Sequence, residues 1–314
     1  MVFAESPIKD VYRRVVWGPY RELLGRAPAG AELGVNRRLG AVVARLSKGK
    51  RAQLVTNLRR AFPSRDDLDA VAAEAFCTHF ADQYISWSFA RIARGEGGPY
   101  LRIEGLHHLD RALQGGRGAV LLHPHMGIPQ LPLCVLGARN YRVNQVGGGG
   151  VEGPISDEGA RVTQLRHRLE QDIPAKIWDG KAFIRPVLRA LTRGELVLSA
   201  MDGTGGGKEL GRRVVREVLG QRMRLPVGAL WLALRGQAPI LPMVTYRNPG
   251  PGQRYITEIH EPMPLRRELP LDDALEHGAD LSARWLDLWL REHPGDWHFW
   301  DEFEPGRFLE GDLP

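Results

Sequence analysis

The chain has 314 residues, 43% of them hydrophobic, with 43 Lys and Arg against 37 Asp and Glu, a net charge of +6. That length buries a large core as one big domain or two small ones, and the mild basic excess suits an anionic lipid surface, an acidic carrier protein or nucleic acid without selecting among them. Two cysteines, Cys77 and Cys134, exclude a disulfide framework and a Cys-rich metal pattern, and fit a reducing, cytoplasmic face.

Residues 1 to 50 read as two basic amphipathic helices. The first, Val11 to Leu24, mixes Val15, Val16, Trp17, Tyr20 and Leu23 with Arg13, Arg14 and Arg21. The second, Leu33 to Leu46, carries Leu39, Val42 and Val43 with Arg37, Arg38 and Arg45. Such helices serve equally as an interfacial contact, with Trp17 and Tyr20 at the lipid surface, or as a cap on the core. No run reaches the length of a membrane span, and no signal peptide is read, because Glu5 and Asp10 have no apolar block between them. Arg51 to Arg94 is helical, with a new element starting at Pro63 and Ser64. Its stripe of Phe76, Phe80, Tyr84, Trp87 and Phe89 reads as core.

Arg94 to Gly98 is a linker, so the chain divides into an N-terminal helical region, 1–98, and an α/β region, 99–314. In the second region strands alternate with helices. Strands are expected at Tyr100–Glu104, Ala119–Leu122, from Tyr141, and at Ala175–Trp178, Glu195–Ala200, Val214–Leu219, Ile240–Tyr246 and Tyr255–His260. Helices are expected at His108–Gln114, from Leu131, and at Glu158–Gln171, Phe183–Thr192, Val227–Leu234 and Ser282–Glu292. This alternation predicts an α/β fold, a mixed central sheet flanked by helices. The glycines at 147–150 match no phosphate-binding fingerprint, since no Lys-Ser/Thr follows, and Asp202 to Gly207 reads as a loop.

The informative stretch is Gly118 to Leu136, GAVLLHPHMGIPQLPLCVL. An apolar strand meets His123, Pro124 and His125, turns at Gly127, and enters a helix whose first turn tolerates Pro129 and Pro132. His125 then stands at the carboxyl end of a strand, where open α/β sheets place their ligands. His125 and Gln130 meet only if the histidine is on the strand end and the glutamine on the first helical turn. An acceptor at Nδ1 would leave Nε2 free to take a proton, which is what a general base needs. Asp202 ends a second strand and so is expected on the same sheet edge; it equally suits a turn cap. His123 points the same way as His125 and packs or hydrogen-bonds beneath it, and a metal site on the pair lacks a third ligand. Arg185, Arg189, Arg222 and Arg224 are the basic residues nearest these motifs. Arg185 and Arg224 are the preferred phosphate clamps.

GAVLLHPHMGIPQL resembles the catalytic segment of the lysophospholipid acyltransferase superfamily, and more narrowly of the bacterial lipid A lauroyl/myristoyl acyltransferase family. Asn57 to Pro63, Leu188 to Asp202, Leu219 to Pro242 and Pro294 to Trp300 resemble further segments of that family, in order, over residues 50 to 305. His125 falls on the family's His of the His-x4-Asp/Glu motif, and Gln130 replaces its acidic residue. The resemblance implies an O-acyltransferase that moves a fatty acyl chain from an acyl carrier protein or coenzyme A thioester to a hydroxyl of a lipid or glycolipid. It implies His125 as base, no metal or redox cofactor, no nucleic acid, and peripheral attachment to the cytoplasmic face of a membrane. Gln130 leaves three readings, in order of expectation. Its side-chain oxygen serves alone; another acid, with Asp202 the candidate, reaches the site; or the chain binds lipid or carrier protein without transferring acyl groups.

Overall fold

The computed structural model describes residues 6–146, 156–178, 184–203 and 211–311. The glycines at 147–150 and most of the Asp202–Gly207 loop lie outside these. The strands are β1 (Leu101–Glu104), β2 (Ala119–His123), β3 (Val143–Val146), β4 (Ala175–Trp178), β5 (Leu196–Ala200), β6 (Arg213–Val218), β7 (Gln221–Pro226), β8 (Ile240–Arg247) and β9 (Tyr255–Ile259). Seven form one sheet in the order β1-β9-β8-β2-β5-β3-β4, and β6 and β7 form a separate hairpin. Within the seven-stranded sheet pairing is parallel except between β8 and β9, so that sheet is mixed. The α/β class with an N-terminal helical region is the one the sequence predicts.

β2 lies at the centre because all five of its residues are buried and a strand covered on both faces is a continuous apolar run. Its alternate residues enter two cores. Val120 and Leu122 join Phe76, Phe80, Leu230, Leu286 and Trp297 on one face. Ala119 and Leu121 join Leu33, Phe89, Leu131 and Leu136 on the other. Both cores thus draw on the N-terminal helices. The helices Ala31–Leu46 and Leu68–Gln83 approach closely at Gly40, where an added Cβ would come within 2.7 Å of the Phe76 carbonyl oxygen.

The first helical segment differs from its expected form. Pro7–Val15 and Arg21–Leu24 are separate helices, broken at Gly18 and Pro19 because proline withholds a donor and crowds the preceding turn. Trp17 is buried, 3% exposed, and its ring packs edge-on against Tyr84 and Trp87; Tyr20 also packs on Trp87. These aromatics therefore face the core and not a lipid surface. The outward side of Pro7–Val15 carries Ile8, Val11 and Val15, which are 82%, 61% and 52% exposed.

Candidate active site

Adjacent parallel strands build the site. β2 and β5 pair with His123 opposite Ala200, and each chain runs two residues further, to His125 and to Asp202. The backbone N–H of Met201 donates to the His123 carbonyl at 2.9 Å, extending the register past the strand ends. His125 Nδ1 lies 2.7 Å from Asp202 Oδ1, and the His125 backbone N–H donates to Asp202 Oδ2 at 2.8 Å. An ionised carboxylate only accepts, so the Nδ1 tautomer carries the proton and Nε2 presents a lone pair. Among the described residues nothing hydrogen-bonds Nε2, and the side chain keeps 29% of its exposure while Asp202 has none.

The electrostatics follow from that burial. Desolvation disfavours the charged form of His125, but the charge of Asp202, its hydrogen bond and the charge of Asp82 outweigh it. The imidazole pKa is raised above the ordinary histidine value. Burial would raise the Asp202 pKa; the His125 charge and the hydrogen bonds from the His125 ring, Trp297 and the His125 backbone hold it below the ordinary carboxylate value. His123 is brought down to about 4, first by burial and then by the His125 charge. Neutral His123 packs 6.0 Å from the His125 ring, its Nδ1 3.1 Å from the Pro124 carbonyl oxygen.

Gly127 shapes the turn after His125. Its φ is +61°, and a Cβ there would come within 2.6 Å of the Thr245 carbonyl oxygen, so only glycine fits without displacement. The helix that follows is Gln130–Ala138. Gln130 does stand on its first turn, but among the described residues its side chain hydrogen-bonds nothing, His125 included. The acceptor on Nδ1 is Asp202, the acid named in the second of the three readings of Gln130.

The structure brings His123, His125 and Asp202 together. Arg185 is exposed at the start of the helix Arg185–Thr192. Arg189 is also exposed on that helix. Arg224 is on β7, its backbone N–H bonded to the Phe308 carbonyl, and Arg222 pairs with Glu310.

Residues the sequence did not single out complete the surroundings. Trp297 Nε1 donates to Asp202 Oδ2 at 2.9 Å. The Phe299 ring packs 4.8 Å from that of His125. The His298 backbone N–H donates to the His125 carbonyl at 3.1 Å, and its Nε2 lies 2.8 Å from the Gly127 carbonyl oxygen. Asp82 lies 3.8 Å from His298 Nδ1, and the His79 ring lies 6.4 Å from the His298 ring. Burial, then the neighbouring positive charges, hold His79 well below the ordinary histidine value. The signal for Trp297, His298 and Phe299 was the Pro294–Trp300 segment, which pointed to a family and not to a role.

Among known families, the model of the bacterial lipid A biosynthesis acyltransferases matches residues 23–302. The chain belongs to that family, an acyltransferase family. No curated protein matches the chain.

Proposed function

We propose that the chain is an O-acyltransferase in which His125 is the general base and Asp202 its charged partner. The observation that carries this reading is the 2.7 Å contact between His125 Nδ1 and a carboxylate with no solvent exposure. An acceptor hydroxyl gives its proton to Nε2, and the oxygen attacks the thioester carbonyl of an acyl carrier protein or coenzyme A donor. The tetrahedral intermediate collapses, the carbon–sulfur bond breaks, and the thiolate takes the proton back from the imidazolium. Asp202 fixes the tautomer and stabilises the imidazolium between the two transfers. The motive for an impaired, binding-only relative was the missing charge at Gln130, and Asp202 supports activity by supplying a charge from another strand.

The acceptor on this reading is a hydroxyl of a lipid or glycolipid, reached at the cytoplasmic face of a membrane by peripheral contact. No described helix is long and apolar enough to cross a membrane. Support for the contact comes from the helix Pro7–Val15, whose polarity is inverted. Its inward side uses polar groups: Asp10 and Arg13 bond Ser156, and the Tyr12 hydroxyl bonds that of Tyr84. Its apolar Ile8, Val11 and Val15 face out. Apolar residues gathered on an exposed face mark an interaction surface.

The test is mass spectrometry of lipid products after incubation with acyl-coenzyme A and acyl-carrier donors and a polar lipid extract. Wild type forms an acylated lipid, and His125→Ala slows its formation by ~10²–10⁴. Equal product from both proteins would remove His125 from the chemistry.

A further inference from the structure

We infer that Trp297 is a positioning residue, holding the Asp202 carboxylate in the rotation that presents Oδ1 to the His125 ring. This rests on the acyl-transfer reading of His125 but has its own geometric basis. Asp202 is fully buried, and a buried carboxylate must have its oxygens met by donors. Oδ2 is met twice, by the Trp297 indole N–H at 2.9 Å and the His125 backbone N–H at 2.8 Å. Oδ1 is met by His125 Nδ1. With Oδ2 held by two donors on different segments, the carboxylate cannot turn about its bond to Cβ without losing both. Oδ1 therefore stays opposite the imidazole.

Trp297 is itself held firmly. It is 1% exposed, and its ring packs edge-on against Phe299, Trp300, Phe303 and Phe308 at 4.7 to 5.9 Å. Its backbone forms an antiparallel bridge with Met126. On either side of the bridge the Gly127 N–H donates to the Asp296 carbonyl at 2.9 Å and the His298 N–H to the His125 carbonyl at 3.1 Å. Asp296 is anchored in turn, its carboxylate accepting from the Thr78 hydroxyl at 3.2 Å and the Arg247 backbone N–H at 3.1 Å. One short segment therefore clasps both partners: the histidine through its backbone, the aspartate through the indole.

Losing the indole donor leaves more negative charge on Asp202, which raises the basicity of His125 while loosening its orientation. The ionisable neighbours acting on that ring are Asp202, Asp82 and His123, with His298 beside Asp82. The experiment compares wild type with Trp297→Phe and with a protein carrying benzothienylalanine at 297, which keeps the outline of tryptophan and lacks the N–H. Two quantities are read. One is kcat and KM with palmitoyl-coenzyme A and a polar lipid extract; the other is the titration of the His125 ring by NMR with labelled histidine. The expected result is a kcat lowered about tenfold to a hundredfold with KM little changed, and a His125 titration moved to higher pH. A benzothienylalanine protein with wild-type kcat and an unmoved titration would overturn the inference, whatever the fate of Trp297→Phe on folding. If wild type transfers no acyl group, the NMR arm still decides. A moved titration keeps Trp297 in its role while the transfer reading falls, and an unmoved one removes both.

Discussion

A histidine whose two nitrogens see different worlds is the smallest unit of the account. Nδ1 faces a buried carboxylate while Nε2 has no hydrogen-bond partner among the described residues, so the proposed base is defined by what lies behind it. On the proposed mechanism the base must be deprotonated, and because its pKa is raised above that of an ordinary histidine, the rate is expected to rise with pH through that raised value. Asp202→Asn removes the charge that opposes desolvation. The acid limb of the kcat/KM profile then moves to lower pH while the plateau falls; an acid limb that stays put would show that another group titrates. His125 was singled out in the sequence by the family resemblance, since an apolar strand ending in His-Pro-His by itself suits a structural histidine at least as well. Its partner was legible only in part: Asp202 was expected on the same sheet edge but ranked behind Gln130, five residues away. Asp202 is 77 residues from His125 in the chain and meets it because β2 and β5 are neighbours, an order the sequence does not carry.

Among the elements, the turn at Gly127 carries the most constraint. Gly127→Ala adds a Cβ against the Thr245 carbonyl and demands a left-handed backbone, which alone costs ~1–2 kcal/mol. Thermal unfolding should show a lower midpoint, and activity should fall further than stability because the turn also sets the His125 backbone. Unchanged activity would mean that the turn tolerates displacement. Elements with apolar runs or alternation were legible, including β2, β5 and β8. The β7 strand was not read, for a physical reason. Its turn is Leu219-Gly220, with φ of +54° and +69°, and leucine at a left-handed position gives no turn signature. The last long helix begins at Leu271 and not near Ser282. Its first half is polar, though Pro270 and the acidic Asp272 and Asp273 were start signals. Gly278 hid the continuity, since glycine there reflects packing, a Cβ falling within 2.9 Å of Leu230.

At the scale of the whole molecule, distant segments meet at one sheet edge: the central strands, the helix Leu68–Gln83 through Asp82, and the Asp296–His298 clasp. None of this convergence is periodic, so composition and spacing could not announce it. The outward apolar face of Pro7–Val15 likewise emerged only from the fold, because the aromatic residues expected to mark it turn inward. Co-sedimentation with anionic phosphatidylglycerol vesicles checks that face. Replacing Ile8, Val11 and Val15 together by serine should weaken binding at least about tenfold, given ~1.5–3 kcal/mol per large apolar side chain fully buried; equal binding would place the contact elsewhere. The central claim, that the charge behind His125 comes from Asp202 and not from the position of Gln130, has a more direct test: the single-turnover rate of acyl transfer for Asp202→Asn beside Gln130→Ala. The account predicts a loss of ~10²-fold or more for Asp202→Asn and a rate near wild type for Gln130→Ala. The opposite ranking would return the partner's role to Gln130 and contradict the dyad.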